Sequence, residues 1–196
     1  MGEAAMQLAE RFSYGEYKTW DDEKRWELID GLARMMAAPS TRHQRVSMRL
    51  AGEVYAFLKG KPCEVLTAPF DVLLPERDEE DDETCNVVQP DIVVFCDSSR
   101  IRKANARGAP DLAMEILSPS SSKWDQNDKF RLYERMGVRE YWIIDPAALS
   151  ICVYRLENGH FDQGSLREQF QNWSRIGSSV LADFGIDPGE LFAELE

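Results

Sequence analysis

Two histidines, four scattered cysteines and no long apolar run limit what this 196-residue chain can be. With only His43 and His160, and with Cys63, Cys85, Cys96 and Cys152 nowhere forming a C-x-x-C pair, a structural zinc site is not expected. The cysteines read as buried thiols rather than disulfides, Cys96 and Cys152 lying in apolar runs. No stretch approaches the roughly 20 apolar residues that cross a bilayer. Residues 1–12 carry acids and lack the basic-then-apolar order of a signal peptide. A cytoplasmic location with no membrane partner is therefore expected. A Ser-His-Asp set, a Walker loop, a Rossmann glycine fingerprint and H-E-x-x-H are all missing. Positive charge is the scarce sign: 23 Lys and Arg stand against 35 Asp and Glu, a formal net charge of −12. Broad duplex binding depends on neutralising phosphates, so this balance argues against it while leaving room for a small basic cleft.

What is present suits one globular domain over residues 1–196, with hydrophobic residues at 43% and charged residues at 30%. Residues 76–83 hold seven acids and one base, the pattern of a solvated hairpin loop; DNA mimicry and metal collection are the alternatives. Residues 1–12 read as a loose or marginally helical lead. Residues 24–36 read as a hairpin turning at Asp30-Gly31, a pair that tolerates positive φ. A helix follows over about 42–59, with Thr41 as N-cap and Gln44 completing a capping box. Its apolar stripe is Val46, Leu50, Val54, Phe57 and Leu58, and Gly60 and Pro62 stop it. Strands are expected over 64–74, 87–96 and 111–117. A helix over about 125–136 ends at Gly137, and strands follow over 140–144 and 151–156, with late pieces at 169–173 and 179–181. Asp187, Pro188 and Glu190 announce a last helix. The fold class is α/β or α+β, a mixed sheet covered by helices on both faces, because the middle strands are almost continuously apolar.

Three charged residues interrupt that apolar middle. Glu115 sits inside Leu112-Ala113-Met114-Glu115-Ile116, sharing its face with Asp111, Ala113 and Leu117. A carboxylate buried there needs a cation, a partner or a proton. Asp91 follows Pro90, which cannot donate to a ladder and so marks an edge, a bulge or a strand start. The two acids meet if their strands pair, and hard divalent cations bind through one or two carboxylates plus water and phosphate oxygens. Lys129 lies four residues after Asp125, on a helix face shared with the apolar Leu132, Tyr133 and Met136. An ordinary surface ion pair is the bland alternative. An inward lysine could instead activate a water or stabilise charge on phosphorus. His43 at the head of a helix stripe and Glu53 on its edge are supporting candidates. Ser118-Pro119-Ser120-Ser121-Ser122 serves as a capping loop.

These blocks resemble the Uma2 family of restriction-endonuclease-like bacterial proteins. The resemblance rests on Trp26-Glu27-Leu28-Ile29-Asp30-Gly31, His43, Gln89-Pro90-Asp91-Ile92-Val93, and the run from Gly108 to Ser120. Asp125 with Lys129, Tyr133, Gly137-Val138 and Glu140-Tyr141-Trp142-Ile143-Ile144-Asp145-Pro146 complete it, spanning about residues 24–192. It implies a PD-(D/E)XK nuclease fold in which Asp91 and Glu115 bind Mg²⁺ (or Mn²⁺) and the substrate is nucleic acid, DNA foremost. That superfamily places its lysine two residues after the second acid, where this chain has Leu117; the resemblance points to Lys129 as the replacement. A homodimer would suit two cuts on a duplex. The competing expectation is a degenerate nuclease fold acting as a binding or oligomeric module, which −12 and Leu117 favour.

Overall fold

The structure, a computed structural model, describes residues 10–118, 124–168 and 175–195, the side chains of residues 124–125 and 165–168 excepted. A helical turn, α1 (Tyr14–Tyr17), leads into the hairpin of β1 (Trp26–Ile29) and β2 (Leu32–Met35). Asp30 and Gly31 take φ of 51° and 77°, as a two-residue hairpin requires. Helix α2 (Thr41–Leu58) follows, capped one residue earlier than expected. Ser40 is extended and its hydroxyl accepts from the His43 amide at 3.2 Å, while the Gln44 amide bonds the Ser40 carbonyl. The cap therefore fixes His43 in the first turn of the helix. Gly60, at φ 78°, lies just past the helix end.

Two expected strands are each broken in two. Residues 64–74 form β3 (Glu64–Thr67) and β4 (Asp71–Leu73), separated at Pro69; residues 87–96 form β5 (Val87–Val88) and β6 (Ile92–Phe95), separated at Pro90. Proline lacks the ladder N–H, so at each break the chain passes from one sheet to another. Next come β7 (Asn105–Arg107) and β8 (Leu112–Ile116), then a π-helical turn over Trp124–Lys129 running into α3 (Phe130–Met136). The expected helix over 125–136 is thus π-type in its first half. Gly137 closes it at φ 82°. The remaining elements are β9 (Glu140–Asp145), β10 (Ser150–Glu157), β11 (His160–Phe161), β12 (Ser165–Glu168), β13 (Ile176–Gly177), β14 (Gly185–Ile186) and α4 (Pro188–Leu191). Asp187 caps α4 through the Gly189 and Glu190 amides, as read from the sequence. The expected strand at 179–181 is replaced by the β13–β14 pair flanking it. The expected strand at 169–173, residues 1–9 and most of the serine loop lie outside the described residues.

The strands form a main mixed sheet in the order β11-β10-β9-β8-β6-β3, parallel only at β8–β9, and a second sheet in the order β2-β1-β5-β4-β7. One face of the main sheet packs Ile92, Leu112, Met114, Trp142 and Ile151 against Val46, Leu50 and Val54 of α2 and Leu191 of α4. The other face packs Val93, Ala113, Tyr141 and Ile143 against Leu132 and Tyr133 of α3 and against Ile29, Val72 and Val88 of the second sheet. Helices on both faces agree with the near-continuous apolar strands. The second sheet was not foreseen, because its strands are two to four residues long.

One expectation is corrected. Cys63 and Cys96 are not thiols: they form a disulfide joining the residue before β3 to the residue after β6. The antiparallel pairing of Glu64 with Phe95 brings these flanking residues together. Cys85 and Cys152 are free and only partly buried. The acidic segment 76–83 is the exposed hairpin loop expected, joining antiparallel β4 and β5, and ion pairs tie it down. Asp81 pairs with Arg102 and Arg107, Asp82 with Lys18 and Glu76 with Arg135, and Asp81–Glu83 form a 3₁₀ turn. Basic residues from distant parts of the chain offset the like-charge repulsion.

Candidate active site

The antiparallel register of β6 and β8 pairs Ile92 with Met114 and Val93 with Ala113. Continued by one residue, it sets Asp91 opposite Glu115. The break at Pro90 leaves Asp91 at the very start of β6, and its Oδ2 accepts the Ile116 amide at 2.8 Å. That bond ties the first acid to the strand that carries the second. His43 Nε2 lies 3.1 Å from the same oxygen, reaching down from the first turn of α2. Both acids line one cleft of ≈ 270 Å³ with Arg25, Glu27, His43 and Lys129.

Glu115 is 2% exposed, and burial of that order demands compensation. The π-helical turn supplies it. Lys129, itself 1% exposed, brings Nζ to 2.7 Å from Glu115 Oε1 and 2.8 Å from Glu27 Oε1. The Tyr133 hydroxyl donates to Glu115 Oε1 at 2.8 Å. Glu27, on β1 of the second sheet, also accepts the Gln89 amide at 2.8 Å. Lys129 therefore joins a carboxylate of each sheet. Removing one member of such a buried set leaves the others uncompensated.

A polar layer stands behind these groups. The Gln89 side chain donates to Asp71 Oδ1 at 2.8 Å and to the Tyr17 hydroxyl at 3.2 Å, and accepts Arg25 Nε at 2.9 Å. Burial raises the Asp71 carboxyl above its ordinary value, against the opposing hydrogen bonds from Gln89 and Tyr17. Burial raises the Tyr17 phenol too, with the Asp71 charge adding to it.

Asp91, Glu115, Lys129 and His43 are thus brought together as the sequence suggested. Glu53 is not: it is exposed on α2 and lines a separate pocket with Arg49, Arg175 and Glu190. The stripe edge on which it was placed turns away from the cleft. The Asp125 side chain lies outside the described residues. Leu117, two positions after Glu115, is 8% exposed and packs in the α3-side core, so Lys129 supplies the amine at Glu115. Glu27, Gln89, Tyr133 and Arg25 were not singled out as site residues. Glu27 carried a usable signal, an acid inside the buried strand Trp26–Ile29, the same anomaly that exposed Glu115. Arg25 and Gln89 carried none.

The donor set suits one kind of metal. Among the described residues no three His, Cys, Asp or Glu side chains gather as a protein cage. Two opposed carboxylates in a cleft fit a hard cation that keeps waters and takes phosphate oxygens. Asp91 and Glu115 would be its protein ligands.

A mixed sheet clasped by helices, with a Pro-Asp strand start facing a glutamate on the next strand, defines a restriction-endonuclease-like fold. The Uma2 family, described as "Putative restriction endonuclease", matches residues 14–188, and the chain belongs to it. Its relatives include the "Uncharacterized protein slr1290" of Synechocystis sp. (strain ATCC 27184 / PCC 6803 / Kazusa), 28% identical over 147 residues, 74% of each chain. The fold is similar to a crystal structure of "a putative nuclease belonging to DUF820" from Anabaena variabilis ATCC 29413. That likeness has a TM-score of 0.72 at 19% identity, covering 92% of this chain and 97% of the other. No helix among the described residues is long and apolar enough to cross a membrane.

Proposed function

We propose that the chain is a Mg²⁺- or Mn²⁺-dependent endonuclease that hydrolyses phosphodiester bonds in nucleic acid, DNA foremost, acting in the cytoplasm as a homodimer. The observation that carries the reading is the register-opposed pair Asp91 and Glu115 in one cleft, with the Lys129 amine 2.7 Å from Glu115. A bound divalent ion supplies Lewis-acid polarisation of the phosphate and a more acidic water. Asp91 and Glu115 would hold that ion. His43 Nε2 and the Ile116 amide fix the Asp91 carboxylate, so its orientation is set before substrate arrives. Lys129 Nζ and the Tyr133 hydroxyl do the same for Glu115. The ammonium also places positive charge beside the position where negative charge builds on phosphorus. Family membership supports the reading.

The test is cleavage of plasmid, single-stranded DNA and RNA in Mg²⁺ or Mn²⁺ by wild type, Asp91→Asn and Glu115→Gln. Metal-dependent cutting that either variant retains in full would refute it. The competing reading is a degenerate nuclease fold that binds without cutting. Leu117 in the core, where the superfamily resemblance places a lysine, favours that alternative. Calorimetry with Mg²⁺ separates the two, since a degenerate site binds no ion in an Asp91-dependent way.

A further inference from the structure

Arg25, Arg34 and Lys129 line the cleft, and the first and last of these are used in opposite ways. Lys129 is committed to the carboxylates of Glu27 and Glu115. Arg25 makes no ion pair among the described residues. Its one side-chain hydrogen bond runs from Nε to the neutral amide oxygen of Gln89 at 2.9 Å. Its Nη2 is buried in this cleft-lining residue and has no hydrogen-bond partner among the described residues. An uncompensated guanidinium nitrogen in a partly dried cleft is costly, and such groups in folded proteins ordinarily mark a bound partner. His43 Nδ1, in the same lining, is likewise buried without a partner among the described residues.

The position of Arg25 is not left to chance. Gln89 holds it, and the Gln89 backbone amide in turn bonds Glu27, the carboxylate on Lys129. Arg25 is thereby fixed relative to the acid pair, attracted to the Asp71 carboxylate but in direct contact with no acid among the described residues. The acids about the cleft, Glu27, Asp71, Asp91 and Glu115, repel an anion, so one fits only in direct contact with the guanidinium at Nη2. A guanidinium presents paired N–H donors that match two oxygens of a phosphate. In a chain of net charge −12, such a localised contact has to do what surface charge does not.

We infer that Arg25, oriented by Gln89, is the phosphate-binding residue of this cleft, gripping a backbone phosphodiester of a single nucleic-acid strand beside the acid pair. The inference rests on the proposed nuclease reading for its substrate class, and binding without cleavage tests it separately. The probe is fluorescein-labelled octathymidylate, titrated by anisotropy against the full chain in Ca²⁺ buffer at several salt concentrations. Arg25→Gln should weaken binding about tenfold and lower the salt slope by about 0.7, one phosphate contact on a single strand. Arg25→Lys, which keeps the charge without the fork, should restore part of the affinity and the whole slope. Gln89→Leu should weaken binding without lowering the slope, as a positioning residue would. Wild type that fails to bind the probe, or Arg25→Gln that binds it within twofold of wild type, overturns the assignment. Equal affinity of the Lys and Gln variants also overturns it. Arg25-dependent binding with no Mn²⁺-dependent cutting would sink the nuclease reading alone. Asp91-dependent cutting with Arg25-independent binding would sink this inference alone.

Discussion

Glu115 and Glu140 are buried glutamates on neighbouring parallel strands, 2% and 0% exposed, yet the protein treats them differently. Glu140 stands opposite Leu112 and points to the α2 side of the sheet with Trp142. There it accepts from the Trp142 indole at 2.7 Å and the Ser179 amide at 2.6 Å, and pairs with the Ser179 hydroxyl. The Arg155 guanidinium stands farther off, at 3.8 Å. Glu140 is thus surrounded chiefly by fixed neutral donors that tie β9 to the C-terminal segment. Glu115, three residues along β8 and on the other face, is held by an ammonium and a phenol and lines a cleft. Burial alone does not separate the two carboxylates. What separates them is that Glu115 has a charged donor and lines a cleft.

The sharpest way to break the comparison is Glu115→Gln or Asp91→Asn, expected to lower metal-dependent cleavage per folded molecule on the order of 10³-fold. Glu140→Gln assayed beside them should cut normally per folded molecule; equal losses at all three positions would erase the distinction. Lys129→Met comes next. It strands Glu27 and Glu115 and should cost about 3–5 kcal/mol in chemical denaturation. Adding Glu27→Gln should recover part of that, and a double variant as unstable as the single would show that the lysine does not bridge the two acids. Glu140→Ala removes the acceptor of two fixed N–H donors and should cost about 1–3 kcal/mol. Smallest is Glu53→Ala, expected within about 0.5 kcal/mol of wild type and fully active; lost cleavage there would return it to the site.

The parts of the site that were legible in the sequence are those where one residue contradicts its own neighbourhood. Asp91 after Pro90, Glu115 inside an apolar strand and Lys129 on an apolar helix face each announce themselves locally. Glu27 broke the same rule and was overlooked because its hairpin was read for its turn. Gln89 and Arg25 could not be found this way: their importance lies in contacts separated by 62 and 64 residues, which local periodicity does not encode. Glu53 failed for a simpler reason, since a stripe margin leaves the direction of a long side chain undetermined. The fold shows the same division. The hairpin, α2 and the β8–β9 core follow from turn chemistry and apolar period. The splitting of 64–74 and 87–96 between two sheets follows from Pro69 and Pro90, whose punctuation was visible but whose consequence depended on a second sheet of very short strands.

The bridge from Glu27 through Lys129 to Glu115 crosses from one sheet to the other. Asp91 and Glu115 belong to the main sheet and Glu27 to the second, so the cleft is completed at their seam. A loosening of that seam by a fraction of the lysine's reach would disconnect the amine from one acid while every strand stayed hydrogen-bonded. Heat or mild denaturant should then silence the protein before its circular dichroism reports any loss of structure.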